Sequence, residues 1–377
     1  MRIGVISASR IPSRAANSIQ VMKVCQSFLD LGHEVHLWVP GPRPTEEADQ
    51  LQAWYGLHRE IPIRWVSCVP SLRRYDFAWK AVGQAKRWGA DLLYCWPLQA
   101  AVLSAWREIP TALEVHDRPQ GRLGPFLMKT FLRAKGARRL LPITKAMRDW
   151  LVEAYTISLA EPFCMIAPMG VDLEQFEGLP DPAGARAELS LEEGLTIGYT
   201  GHLYKGRGLE LIVDLAVRNP ELRFLWIGGE PAAVMRWEQH LSQMGIKNIK
   251  LVGFVTNERL PLYQAACEIL LMPYERHIAG SSGGDTAQFT SPMKVFEYMA
   301  SGRVIIASDL PVLREVLDEE VAVLPPPEEV DAWDQVLKDL SKDADERKRL
   351  GERAKKQVTQ YSWKARAERT LAGLGDD

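Results

Sequence analysis

Short apolar runs alternate with amphipathic stretches along nearly the whole chain. Residues 3–7 are apolar enough for a buried strand, 18–31 carry helical periodicity, Gly32 stops that helix, and 34–39 form the next strand. The alternation predicts further strands at 63–67, 92–96, 112–116 and 140–144, each followed by a helical segment. Strand then helix, repeated, predicts an α/β fold with a mostly parallel sheet covered on both faces. The rhythm breaks at 178–184, a run of turn formers, and restarts with a strand at 195–200 and the apolar segment 209–217. It continues through 224–228, 249–253, 269–273 and 304–308. Helical segments from Asp331 close the chain, with 347–361 strongly charged and Trp363 an apolar anchor beyond.

The expected organisation is two tandem Rossmann-like domains. The first covers 1–177, a linker 178–190 and the second 191–360, with a helix over 361–377 crossing back to the first. Ligands of open parallel sheets bind beyond the carboxyl ends of the strands. The two parallel sheets are therefore expected to face an interdomain cleft that holds the substrate.

Composition narrows the class. The chain has 377 residues, 46% hydrophobic and 25% charged, which suits a soluble two-domain protein. No apolar run approaches the roughly 20 residues of a membrane-spanning helix. The start, Met1 to Ser7, reads as a strand and lacks the pattern of a secretory signal, so the cytoplasm is the expected compartment. Cys25, Cys68, Cys95, Cys164 and Cys267 are scattered and odd in number, which predicts free thiols and no metal knuckle. Net charge is −2, split as +5 over 1–177 and −7 over 178–377. The basic first half suits an anionic partner such as a lipid headgroup, and the bias is too mild for a nucleic-acid footprint.

Candidate chemistry clusters in the second half. Residues 290–302 read Thr-Ser-Pro-Met-Lys-Val-Phe-Glu-Tyr-Met-Ala-Ser-Gly. Ser291 suits an N-cap, Pro292 the first helical position and Gly302 the stop. Val295, Phe296 and Met299 form a face to bury, and Lys294, Glu297 and Ser301 form another. A helix start offers unpaired N–H groups and partial positive charge, which favour a diphosphate. Thr290 and Ser291 add hydroxyls, and Glu297 is placed to accept from ribose. The alternative is a plain cap with Glu297 as a surface acid paired with Lys294. The preceding loop, 279–285, is rich in Gly and Ser and reads as ligand-adaptable.

This run resembles the donor-binding helix and next strand of the family-4 retaining glycosyltransferases, which have the GT-B fold. Many members carry two glutamates eight positions apart. Glu297 matches the second, and the first falls on Phe289, which is no acid. Thr200-Gly-His-Leu-Tyr-Lys-Gly-Arg-Gly208 is similar to the family segment that grips the donor diphosphate. Lys205 and Gly206 match, His202 stands where arginine is usual, Arg207 supplies a further charge, and Gly201 allows close backbone approach. The segment 251–255 resembles the strand end that frames the base, with Gly253, Phe254 and Val255 as contacts. The segment 114–117 resembles a histidine-bearing strand end, which implies that His116 hydrogen-bonds the transferred sugar. Met169-Gly-Val-Asp resembles a signature before the linker, and 31–35 a first-helix exit. The early loop 9–18 lacks the usual glycine pair and offers Arg10, Arg14 and Asn17, with Arg14 and Asn17 as candidates near acceptor and phosphate. Trp96-Pro97 is a candidate for an acceptor sugar face.

The resemblance implies transfer of a hexose-type sugar from a nucleotide-diphosphate donor to a hydroxyl acceptor, with retention, in cell-surface polysaccharide or glycoconjugate synthesis. The acceptor is a glycan, a lipid-linked sugar or a small molecule, and no nucleic-acid partner is expected. His116, Lys205 and Arg207 are the expected catalytic residues. Lys205, Arg207 and the helix start would stabilise charge on the leaving β-phosphate. No Asp-x-Asp or His cluster offers a clear metal site, so no metal or cofactor is expected. Other classes remain open: a sugar-nucleotide-binding protein without transfer, and a GT-B epimerase or phosphorylase. A dehydrogenase is disfavoured, because 4–10 is not a Gly-x-Gly-x-x-Gly fingerprint. Finally, 121–139 reads as a basic amphipathic helix for an anionic membrane, with Phe126, Leu127 and Phe131 apolar and Lys129, Arg133, Lys135, Arg138 and Arg139 basic. The alternative there is an ordinary domain helix.

Overall fold

The structure is a computed structural model that describes residues 1–45, 48–72, 74–156, 160–278 and 287–374, with the side chains of Ala48 and Pro70 left aside. The chain divides into two compact units, residues 1–169 with 363–377, and residues 170–362.

Unit 1 runs β1 (Arg2–Ile6), α1 (Ala16–Asp30), β2 (Glu34–Pro40), α2 (Ala48–Tyr55), β3 (Ile63–Val66), α3 (Tyr75–Trp88) and β4 (Leu92–Cys95). It continues with α4 (Leu98–Trp106), β5 (Thr111–Val115), α5 (Gly124–Leu132), β6 (Ala137–Pro142) and α6 (Lys145–Tyr155). All its strand pairs are parallel, in the order β3-β2-β1-β4-β5-β6. Central strands lie under helices on both faces: β4 and β5 are buried at every position, β4 as an unbroken apolar run and β5 with Thr111 and Glu114 among its buried residues.

Unit 2 runs α7 (Pro182–Glu188), β7 (Thr196–Thr200), α8 (Leu209–Arg218), β8 (Arg223–Ile227), α9 (Pro231–Gln243), β9 (Ile249–Gly253) and α10 (Leu260–Ala265). Then come β10 (Ile269–Met272), α11 (Met293–Ser301), β11 (Val304–Ala307), β12 (Ala322–Val323), α12 (Val330–Lys342) and α13 (Ala344–Gln357). Its parallel sheet has the order β12-β11-β10-β7-β8-β9. The core gathers Ile197, Tyr199, Ile212, Trp226, Leu271, Ile306 and Trp333.

The chain's last helix, α14 (Trp363–Leu371), belongs to unit 1 and packs on α1. The stretch 178–190, expected as a linker, holds α7. Asp181 caps it by accepting from Gly184 N, and its Ala185 packs with Ala265 and Ala266 of unit 2. The division instead falls beside Gly170. β12 has only two residues, too few to show as an apolar run.

Candidate functional site

The carboxyl ends of the unit 2 strands are tied together by the main chain. Gly201, just past β7, donates its N–H to Ile227 O at 2.8 Å, and Gly228, just past β8, donates to Gly253 O at 2.7 Å. Gly201 has φ +130°. The loop from Gly201 to α8 turns back against the end of β10. Glu275 N donates to Gly206 O at 3.1 Å, and a Cβ on Gly208 would lie 1.8 Å from Pro273 O. Helix α11 is stapled across the same edge by Tyr298. Its hydroxyl receives Thr200 N at 2.9 Å and Thr200 Oγ1 at 3.2 Å, and donates to Leu271 O at 3.4 Å.

Two cations converge there. Lys294, in the first turn of α11, places Nζ 4.2 Å from the Tyr199 ring centroid and 5.4 Å from that of Tyr274. Arg207 lays its guanidinium 4.5 Å from the Tyr274 centroid. A Cβ on Gly201 would meet Lys294 Nζ at 2.7 Å, so any larger residue would push the ammonium from this place, and the φ of +130° favours glycine independently. Among the described residues neither cation has a carboxylate ion pair, and Arg207 Nε is buried without a hydrogen-bond partner. Burial, and then the charge of Arg207, push the Lys294 pKa well below its ordinary value, against a smaller opposing pull from Glu297. Burial lowers His202 too, followed by Lys294 and Arg207. Aromatic faces offset part of the cost of enclosing like charges. An anion is the partner this arrangement lacks.

The structure thus brings together Gly201, His202, Arg207 and Lys294 of the sequence candidates. Lys205 is exposed, and it and Thr290 make no side-chain hydrogen bond among the described residues. Ser291 is buried, but it is not the cap of α11. Pro292 holds that position with φ −74° and ψ 130°, and the helix begins at Met293. Glu297 is not paired with Lys294; Gln264 Nε2 donates to its Oε2 at 3.3 Å. Phe254 and Val255 follow β9 at the sheet edge, half-buried. Phe289 is buried. The glycine-rich segment 279–285 lies outside the described residues. Sequence reasoning missed Tyr199, Tyr274 and Tyr298, whose partners are distant in the chain. Tyr298 at least stood inside the quoted motif.

Unit 1 supplies a second constellation around His116. Glu114 is buried, with Oε1 2.7 Å from His116 Nε2 and Oε2 2.9 Å from Arg366 Nη2. The Tyr94 hydroxyl and the Gln20 amide also donate to this carboxylate. Burial alone would raise the Glu114 pKa. Arg366, then His116 and Tyr94, outweigh burial and bring it down to about 2. The ionised carboxylate can only accept, so its 2.7 Å contact calls for a proton on His116 Nε2 and outweighs the longer approach of the Trp96 indole N–H to the same nitrogen. Trp96 Nε1 and Gln20 Nε2 stand 3.2 Å and 3.3 Å from that Nε2. Arg366 comes from α14 and also holds Pro168 O at 2.7 Å and Ala167 O at 3.2 Å. Its link to Glu114 spans more than two hundred residues, beyond any motif spacing. Arg14 is half-buried in the loop before α1, and Asn17 is exposed in that helix's first turn. The loop is held by Tyr55, which accepts from Ser13 N at 2.8 Å, and by Trp54 and Trp65, which donate to Ser13 O and Ile11 O.

The basic segment 121–139 is not one amphipathic helix. α5 spans Gly124–Leu132 and turns Met128 and Phe131 into unit 1. Arg139 is buried in β6, where it donates to Ala372 O at 2.7 Å. Phe131 and Arg139 are therefore unavailable to a membrane, while Phe126, Lys129, Arg133 and Arg138 are exposed. Among the described residues, no helix is long and apolar enough to cross a membrane, and no three His, Cys, Asp or Glu gather as a metal site.

Two family profiles match the two units in turn. The profile described as Glycosyltransferase Family 4 matches residues 18–175, and that described as Glycosyl transferases group 1 matches 185–357. The chain is 28% identical over 142 residues to a Bacillus subtilis protein named for teichuronic acid biosynthesis, a match covering 38% of this chain and 33% of that protein. It is 23% identical over its full length to the phosphatidyl-myo-inositol mannosyltransferase of Mycolicibacterium smegmatis, covering 95% of that protein. HepE of Anabaena, solved with UDP-glucose, superposes with a TM-score of 0.75 at 15% identity, all of both chains covered. Twin parallel sheets and these matches define a glycosyltransferase with the GT-B fold. The chain belongs to family 4 of those enzymes.

Proposed function

We propose that the protein transfers a hexose-type sugar, with retention of configuration, from a nucleoside-diphosphate donor to a hydroxyl acceptor. The observation that carries this reading is the pair Arg207 and Lys294, enclosed at the carboxyl edge of the unit 2 sheet without a carboxylate partner. A diphosphate supplies the missing charge, and cations fixed in advance stabilise the further charge that grows on the β-phosphate as the glycosidic bond breaks. Lys205, exposed on the same loop, is the third cation, and Glu297 accepts from the ribose hydroxyls. The backbone at Gly253, Phe254 and Val255 frames the base. HepE's complex with UDP-glucose makes a uridine donor the first to try. His116 presents Nδ1 to the transferred sugar, its ring set by Glu114. The acceptor hydroxyl attacks the anomeric carbon from the leaving-group side, and the departing phosphate oxygen takes its proton.

The test is turnover. Purified protein is incubated with UDP-, GDP- and ADP-sugars and a panel of glycan, lipid-linked and small hydroxyl acceptors, while nucleoside diphosphate release and product configuration are followed. Release with an α product from an α donor supports the reading. An inverted product refutes retention. The buried Phe289, where the family's first glutamate stands, favours a second reading, binding of sugar nucleotides without transfer. Tight donor binding with no turnover on any acceptor would select it.

A further inference from the structure

We propose that the helical face of unit 1 formed by α3, α4 and α5 docks on a bilayer carrying anionic headgroups. The order β3-β2-β1-β4-β5-β6 sends the crossovers after β3, β4 and β5 in one direction, and right-handed connection lays their helices on one side of the sheet. α3 packs on α4 and α4 on α5. Each has already buried an inward face: Phe77, Ala81 and Val82 in α3, Ala100, Ala101 and Ala105 in α4, Met128 and Phe131 in α5. Large apolar groups nevertheless remain outside. Trp106 is 73% exposed, Phe126 65%, Trp79 61% and Leu123 58%, and Val69, Leu72 and Tyr75 join them at the start of the layer.

Charge identifies the occupant. Among the described residues of 69–139, ten Lys and Arg are exposed against two acids, Asp91 and Glu108, in a chain whose net charge is −2. Arg107 lies 4.3 Å over the Trp79 ring, and Arg122, Lys129 and Arg133 are exposed around Leu123 and Phe126. Tryptophan favours the headgroup level, and Lys and Arg gain from anionic lipid while their stems cover apolar surface. Aromatic groups spread over three helices and interleaved with cations suit a charged plane. This surface belongs to unit 1 and the donor residues to unit 2, and its argument uses none of them, so the inference stands whether or not the transfer reading holds.

The experiment is flotation of the full chain with vesicles of phosphatidylcholine alone and of phosphatidylcholine with phosphatidylglycerol. Binding is expected only to the anionic vesicles, weakening as salt rises. The variants Trp106→Ala/Phe126→Ala and Arg122→Glu/Lys129→Glu/Arg133→Glu should each lower partitioning by roughly tenfold or more. Both should keep the wild-type melting curve and nucleoside diphosphate affinity. No binding to anionic vesicles, equal binding to neutral ones, or unchanged binding in both folded variants overturns the proposal. So does a dimer in sedimentation velocity that Trp106→Ala/Phe126→Ala dissolves, which would give the face to a second copy of the chain.

Discussion

Lys294 carries most of the argument at the scale of single residues. Its ammonium sits between two tyrosine rings and near Arg207, and its pKa lies well below the ordinary value because burial, then Arg207, disfavour the charged form. A bound diphosphate favours that form, so binding takes up a proton wherever the pH lies between the free and bound values. Affinity for a nucleoside diphosphate should therefore fall as pH rises through that window. Calorimetry in buffers of different ionisation enthalpy should register the uptake, and Lys294→Met should abolish it. Contacts to charged groups contribute about 1.5–3 kcal/mol each. Arg207→Ala and Lys294→Met should each weaken binding by roughly tenfold to a hundredfold, and Lys205→Ala, freely solvated, by less. Equal losses for all three would show that enclosure is irrelevant.

Glu114 makes the opposite case within unit 1. Its carboxyl titrates at about 2 in the folded chain against 4.5 ordinarily, so between those values the unfolded chain binds more protons. The stability it contributes is full above pH 4.5 and drains away toward pH 2. Arg366→Met leaves the carboxylate buried without its guanidinium, a change that costs about 3–5 kcal/mol. Urea unfolding should show the parent losing stability between pH 4.5 and about 2, while the variant, less stable at neutral pH, loses less over that range or gains as the carboxyl protonates. Coincident curves would mean that α14 does not hold Glu114 ionised.

At the scale of elements, the strands were legible and the contacts between elements were not. A parallel strand buried on both faces must be apolar throughout, and 92–96, 195–200 and 304–308 advertise themselves for that reason. The short helix α7 was obscured because its cap, Asp181-Pro182, sits among glycines and prolines that read as a linker. The Ser-Pro pair before α11 reads in sequence as cap and first turn, but Pro292 is itself extended, which shifts the start by one residue. Arg207 and Lys294 were both visible as cations, yet they are 87 positions apart, and no spacing rule joins them at Tyr274. The same holds for Tyr298, whose hydroxyl binds α11 to β7 and β10. Tyr298→Phe strands the Thr200 N–H in a buried place, at about 1–3 kcal/mol. Both the unfolding midpoint and nucleotide affinity should fall. A drop in neither would make the staple idle.

At the scale of the whole molecule, each unit has its own sheet, core and polar constellation, and a glycosyltransferase profile matches each, Family 4 over 18–175 and group 1 over 185–357. The charge asymmetry seen in sequence has a structural address, since the excess of cations in the first half concentrates in residues 69–139, which hold α3 to α5 and their flanking loops. A ligand that binds only the folded chain stabilises it by about 2.7 kcal/mol at a hundred times its dissociation constant. Nucleoside diphosphate should accordingly raise the melting temperature of the wild-type protein and leave that of Arg207→Ala/Lys294→Met nearly unmoved.

The most direct measurement is isothermal titration of UDP, GDP and ADP into the wild-type chain and into Arg207→Ala/Lys294→Met. At least one nucleotide should bind the wild type, and the folded double variant should bind it roughly a hundredfold more weakly or worse. A double variant that keeps its fold and binds as tightly as the parent would place the diphosphate elsewhere.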